Sequence, residues 1–161
     1  MGFEYVFIRP EAFMGNALYW SNLFKYSKNE IKWPQLKAKY ASVHESDVAE
    51  VIVEVMKSFS TFEGQILTLT GANVITQKYM LEEIIRQTAS NIQLHEQSLS
   101  EFETYMSKYM EQKYVSLREE DWQYSLHNKL ELTNTISNIL DREPLTYREW
   151  VSENLTTFQG V

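Results

Sequence analysis

Two kinds of hydrophobic pattern alternate along the first part of this chain, and that alternation restricts the fold more than any other feature. Glu4-Tyr5-Val6-Phe7-Ile8 is aromatic and β-branched with no solvent side of its own, the pattern of a short strand buried on both faces. Arg9-Pro10 ends it, because proline lacks the ladder donor and pushes its predecessor out of the helical region. From Glu11 to about Asn22 the spacing predicts a helix, with Phe13, Ala17, Trp20 and then Phe24 three or four positions apart. Lys25 to Lys39 is polar and broken by Pro34, a loop with room for a short strand at Ile31-Trp33. Tyr40-Ala41-Ser42-Val43 is a second strand candidate. Asp47 is placed to cap the next helix, with Glu50 at its third position and Val48, Val51, Ile52, Val55 and Met56 as a broad apolar stripe. Gln65 to Thr70 is the clearest strand, ended by Gly71. A helix over Thr76–Ala89 follows, its inner pairs Met80/Ile84 and Leu81/Ile85.

The second half is mostly helical. Ser98-x-x-Glu101, Ser116-x-x-Glu119 and Thr146-x-x-Glu149 fit the capping box, in which cap and third residue satisfy each other's free donors. Each precedes a periodic run: Leu99, Phe102, Met106, Tyr109 and Met110; Trp122, Leu126, Leu130, Ile136 and Leu140; Tyr147, Trp150, Val151, Leu155 and Phe158. Ile92–His95 alternates and reads as one more short strand. Strands alternating with helices indicate an α/β fold with few short strands and a predominantly helical second half. With 161 residues and 43% apolar content, the chain suits a single domain over residues 1–161.

Several chemistries are excluded. The glycines, Gly2, Gly15, Gly64, Gly71 and Gly160, never come closer than seven positions. A dinucleotide loop needs three within six residues, and a P-loop needs Gly-Lys-Ser/Thr; neither is present. There is no Gly-x-Ser-x-Gly elbow. With no cysteine, thiol catalysis and Cys-ligated zinc drop out, and His44, His95 and His127 lie on separate elements without ligand spacing, so no metal is expected. Fifteen Lys+Arg against 22 Asp+Glu give a net charge of −7 with no basic cluster, which argues against nucleic acid. No stretch approaches the roughly 20 apolar residues of a membrane helix, and no secretory signal is visible, so a soluble, cytoplasmic protein is expected. Tyr109-x-x-x-Lys113 has the spacing for a lysine-activated tyrosine, but Tyr109 shares an apolar stripe with Phe102 and Met106, which favours packing. Trp20, Trp122 and Trp150 sit in amphipathic stripes. Trp33 lies in the polar stretch before Pro34 and is a candidate wall of a ligand pocket.

The segment Phe7-Ile8-Arg9-Pro10-Glu11-Ala12-Phe13-Met14-Gly15-Asn16 resembles the "LRP-x-x-F-M-x-N" stretch of the NmrA-like family, atypical proteins of the short-chain dehydrogenase/reductase type. Ala41 to Glu50, with Val43 and Asp47-Val48-Ala49-Glu50, is similar to that family's "V-x-x-x-D-V-A-E" segment. Glu63-Gly64-Gln65 through Leu69-Thr70-Gly71 resembles its "G-x-x-Y-x-L-T-G" strand, and Glu131-Leu132-Thr133-Asn134 with Thr146 to Trp150 its closing helices. Order and spacing agree over nearly the whole chain.

The resemblance covers the C-terminal half of that family only. Its N-terminal Rossmann half carries the glycine loop, most of the parallel sheet and, where present, the catalytic Tyr and Lys. This chain is therefore expected to be the substrate-side portion of an NAD(P)-dependent oxidoreductase. Such an enzyme, when complete, passes hydride to a small carbonyl or quinone-like acceptor. Alone, the chain is expected to have no catalytic residue, no bound cofactor and no activity. The alternative is a non-catalytic module for ligand sensing or protein interaction. By resemblance, Arg9, Pro10, Phe13 and Asn16 border the nicotinamide and small-molecule pocket, and Asn16 has the weakest structural explanation of these. The resemblance also implies that Tyr5–Ile8 has lost a neighbour. An apolar open edge is a pairing hazard, so it should be covered by another copy, a partner chain or rearranged helices.

Overall fold

Strands come in pairs, and no pair gains a third strand among the described residues, Phe3–Gln159 of a computed structural model. In chain order the first elements are β1 (Phe7–Pro10), a 3₁₀ helix (Met14–Trp20), α1 (Ser21–Tyr26), β2 (Glu30–Trp33) and β3 (Lys39–Tyr40). Next come α2 (Glu45–Lys57), α3 (Phe59–Phe62), β4 (Ile66–Leu69), β5 (Ile75–Thr76), α4 (Gln77–Gln87) and β6 (Gln93–Glu96). Helices complete the chain: α5 (Leu99–Met106), α6 (Gln112–His127), α7 (Thr135–Leu140), α8 (Tyr147–Glu153) and α9 (Leu155–Phe158). Contacts cluster into two compact units. The sheet unit holds the residues through Asn16, Ala41–Val74 and Glu131–Trp150; the aromatic unit holds Ala17–Tyr40, Ile75–Leu130 and the residues from Val151.

In the sheet unit β1 and β4 run parallel, with Phe7 opposite Ile66, Ile8 opposite Leu67, Arg9 opposite Thr68 and Pro10 opposite Leu69. Alternate side chains point to opposite faces. On one face Val6, Ile8, Leu67 and Leu69 pack with Val48, Val51 and Val55 of α2 and Ile136 of α7. The other face is bare: Phe7 is 53% and Ile66 52% exposed. The expectation of a strand buried on both sides is thus corrected. Helices cover a single face, and four apolar residues in a row cannot say how many layers will meet them. The stripe of α2 is likewise narrower than its sequence suggests, since Ile52 and Met56 face solvent.

The start of α2 also differs from expectation. His44 is its cap, accepting the Ser46 N–H at Nδ1 over 3.1 Å. Asp47 lies within the first turn and is fully buried. It accepts the Leu145 N–H at 2.9 Å and pairs with Arg142 at 2.7 Å, while Arg142 also reaches Glu50 at 2.8 Å. Asp47 therefore clips the loop after α7 to the first turn of α2 instead of capping it.

In the aromatic unit β2 pairs parallel with β6, and β3 pairs antiparallel with β5. Trp33 is the hub, with edge-to-face ring contacts to Trp20 at 5.7 Å, Phe102 at 5.4 Å and Trp122 at 6.1 Å. Its indole N–H donates to Gln77 Oε1 at 2.9 Å, and the Gln77 amide donates to the Gln35 carbonyl at 2.9 Å, which satisfies both buried polar groups. The capping box at Ser98 forms as expected, as does that at Thr146 in the other unit. The one at Ser116 does not: α6 starts at Gln112, so Ser116 lies inside the helix. The run read from Trp122 to Leu140 is divided, α6 ending at His127 and α7 starting at Thr135. No helix of the described residues is long and apolar enough to cross a membrane.

Candidate functional site

Because β1 and β4 are parallel, their carboxyl ends lie side by side, the position at which open α/β sheets bind ligands. The chain leaves β1 at Pro10, and the Glu11 N–H still donates to the Leu69 carbonyl at 2.9 Å. The next residues are stitched to the strand-like segment before α2: Val43 N–H donates to Ala12 O at 2.9 Å, and Met14 N–H to Val43 O at 3.0 Å. Past β4, Gly71 N–H donates to Ala41 O at 3.0 Å. A Cβ on Gly71 would lie 2.0 Å from the Ser42 carbonyl oxygen, so only glycine lets these segments approach.

This backbone frame supports an open cleft of about 650 Å³ lined by Arg9, Pro10, Glu11, Ala12 and Thr68. Arg9 and Thr68 are register partners, so a guanidinium fork and a hydroxyl stand on adjacent strands at one mouth. Arg9 has no ion-pair partner among the described residues, and Pro10 and Ala12 add an apolar wall. The arrangement suits a small ligand with an accepting oxygen, which arginine engages through several donors in one plane. No His, Tyr or Lys lines the cleft. Behind it, Glu45 accepts the Gly15 N–H at 2.6 Å and holds the start of the 3₁₀ helix.

The candidate residues separate. Arg9 and Pro10 line the cleft. Phe13 forms a single bridge with Val43, and Asn16 is exposed, its N–H donating to Phe13 O at 3.1 Å; neither lines the cleft. Trp33 ends β2, where a short strand was expected, but it belongs to the aromatic unit and is 2% exposed, buried by residues distant in sequence and not lining the cleft. Glu11, Ala12 and Thr68 were not singled out from the sequence. Thr68 had a signal, a polar position in an otherwise apolar strand. Tyr109 is neither core nor half of a pair with Lys113: it stands 70% exposed beyond the end of α5, and Lys113 pairs with Glu111 at 2.8 Å. Among the described residues no group of three His, Asp or Glu could hold a metal ion.

No family profile and no curated protein matches the sequence. Solved structures do match the fold. The NADPH-dependent quinone oxidoreductase of Escherichia coli, complexed with NADPH, superposes with a TM-score of 0.75 at 20% identity, over 94% of this chain and 54% of that one. The Citrobacter sp. triphenylmethane reductase complexed with NADP(H) gives 0.72 at 12% identity, over 93% and 53%. A nucleoside-diphosphate-sugar epimerase of Staphylococcus aureus gives 0.70 at 14% identity, over 93% and 52%. The architecture is therefore the Rossmann-like α/β fold of NAD(P)-dependent reductases and their relatives. The chain spans about half the length of these proteins, consistent with the C-terminal half expected from the likeness to NmrA-like proteins.

Proposed function

We propose that this chain is the substrate-side portion of an NAD(P)-dependent reductase of this fold, acting in the cytoplasm. The observation that carries the reading is the cleft at the carboxyl ends of β1 and β4, where Arg9 and Thr68 face a small-molecule space in a chain half as long as its structural neighbours. The residues do not fit a whole dinucleotide: no glycine loop exists to cradle the phosphates, and the cleft offers one arginine. What they fit is the oxygen of a small carbonyl or quinone-like acceptor, held by the Arg9 fork and the Thr68 hydroxyl against Pro10 and Ala12. Orientation of the acceptor is the contribution of this chain; the hydride comes from NAD(P)H bound elsewhere in a completed enzyme.

Calorimetric titration tests this directly. The chain alone should give no heat with NADPH or NADH up to about millimolar concentration and should bind a small benzoquinone weakly. Arg9→Ala should weaken that binding about tenfold, the worth of a charged hydrogen bond. Asn16→Ala should leave it unchanged, since Asn16 does not line the cleft. Micromolar NADPH binding would overturn the reading. The second reading, a non-catalytic sensing or interaction module, is favoured by the absence of His, Tyr or Lys from the cleft and by the bare face of the β1/β4 sheet.

A further inference from the structure

A second cavity lies wholly within the aromatic unit, where three helices end together. α1 stops at Tyr26, α4 at Gln87 and α9 at Phe158, and the residue after each end, Ser27, Thr88 or Gln159, lines one pocket of about 260 Å³. Its floor is apolar. The buried rings of Phe24 and Phe158 meet edge to face at 5.6 Å, and Ile92 adds an aliphatic wall. At the end of α4, Ala89 takes a left-handed φ of 50°, which turns the chain out of the helix and brings Ser90 and Asn91 onto the wall. The rim is cationic. Lys25 and Lys28 both line it, exposed and without an ion-pair partner among the described residues. Lys32, Lys57, Lys78 and Lys113, by contrast, each have a carboxylate within 3.6 Å. Among the described residues no carboxylate lines the pocket, although the chain carries a net charge of −7.

We propose that this pocket binds a small aromatic carboxylate, its ring on Phe24, Phe158 and Ile92 and its carboxyl group between Lys25 and Lys28. Size limits the ligand first. The cavity is just under the roughly 300 Å³ at which pockets for drug-sized molecules begin, so it suits a single ring. Charge decides next. A helix C-terminus carries about half a negative charge, which by itself would attract a cation. Here those partial charges are weak: α1 has six residues and α9 four. The last α4 carbonyls are also taken, Ile84 O by Thr88 N–H at 2.9 Å, Ile85 O by Ser90 N–H at 3.3 Å and Arg86 O by Ala89 N–H at 3.3 Å. Two full lysine charges outweigh them. A compact inorganic anion would meet the lysines but leave the aromatic floor to water, and no arginine lines the pocket to fork a phosphate. A neutral ring would cover the floor but leave two like charges facing each other across the rim. A carboxylate on a ring answers both. The pocket shares no residue with the cleft at Arg9, and the proposal does not depend on the function assigned to that cleft.

Titration of the whole chain with sodium benzoate, followed by amide NMR shifts, tests this. Saturable shifts are expected at Ser27, Lys28, Ser90, Asn91 and Ile92, with a dissociation constant of about 1 mM. Lys25→Gln with Lys28→Gln should weaken benzoate at least about tenfold, the worth of one charged hydrogen bond. The melting temperature should stay where it is, since both side chains are exposed and unpaired. Benzyl alcohol, which keeps the ring, and acetate, which keeps the charge, should each bind at least about tenfold more weakly than benzoate. Arg9→Ala should leave the benzoate shifts in place, which separates this pocket from the cleft. Benzoate affinity unchanged in the double lysine variant would overturn the proposal. So would benzyl alcohol or acetate binding as tightly as benzoate, the first by removing the role of charge and the second that of the ring. Shifts confined to the residues around Arg9 and Thr68, or no shift at the five named amides, would overturn it as well.

Discussion

The two units use their large apolar side chains in opposite ways. In the aromatic unit Trp20, Trp33, Phe102 and Trp122 interlock edge to face, and the Trp33 indole N–H is satisfied by Gln77. In the sheet unit the Tyr5 and Phe7 rings lie 4.9 Å apart and both stay about half exposed, as does Ile66. The aromatic unit buries its rings in one cluster, whereas the sheet unit buries aliphatic side chains on one face of β1/β4 and exposes Phe7 and Ile66 on the other. The difference places the exposed apolar surface of the β1/β4 pair on one face, and strand length does not explain it, because β2 and β6 in the aromatic unit are equally short.

The largest expected effect tests this contrast head-on. Trp122→Ala should cost about 3–5 kcal/mol in urea unfolding, the usual penalty for emptying a buried aromatic site. Phe7→Ala should cost about 0.5 kcal/mol or less in the chain alone, as for exposed substitutions. A Phe7→Ala cost approaching that of Trp122→Ala would break the comparison, since it would mean the face is covered in solution.

Next in size is the Asp47 clip within the sheet unit. Asp47→Ala removes a buried acceptor of the Leu145 N–H and one of two partners of the part-exposed Arg142, so it should destabilise by about 2 kcal/mol. Asp47→Ala with Arg142→Ala should cost clearly less than the two single changes added, which a double-mutant cycle in urea would reveal. Additive costs would show that Asp47 acts only through the Leu145 N–H.

The smallest effects are those of pH, and they have opposite signs in the two units. Glu149, in the sheet unit, titrates below the usual carboxylate range, chiefly because the Thr146 backbone N–H and then its hydroxyl hold the ionised form. Its contribution is present above the unfolded pKa and disappears as pH falls through the lowered folded one. Glu119, in the aromatic unit, titrates higher than usual because burial and then the nearby Glu103 oppose its charge. Its contribution is full below the unfolded pKa and is lost as pH rises through the raised folded one. Glu149→Gln should therefore flatten the acid limb of the stability–pH curve, and Glu119→Gln should raise stability slightly at neutral pH. Glu149 is exposed and Glu119 is only partly buried, so screening keeps these changes small.

Much of the local structure is legible in the sequence because it depends on neighbours a few residues away. The strand over β4 ended by Gly71, the helix of α4 with Met80 and Ile84 inward, and the capping boxes at Ser98 and Thr146 all follow from spacing and donor counting. The alternation of these elements was enough to define an α/β class, and Arg9-Pro10 could be placed at the end of a strand. The rest depends on partners far along the chain. Trp33 reads as a candidate pocket wall because its flanks are polar, yet Phe102 of α5 and Trp122 of α6 pack on it in the core. Asp47 reads as a cap because of its place before an apolar stripe, yet Arg142 and the Leu145 N–H make it a clip. Thr68 enters the cleft only through its register with Arg9. Hydrophobic pattern and capping chemistry act over one or two turns, so the sequence alone determines which elements form. Which faces they cover, and that among the described residues β1 keeps Phe7 exposed on one face, was decided by tertiary packing, because an apolar side chain is buried only if something arrives to cover it.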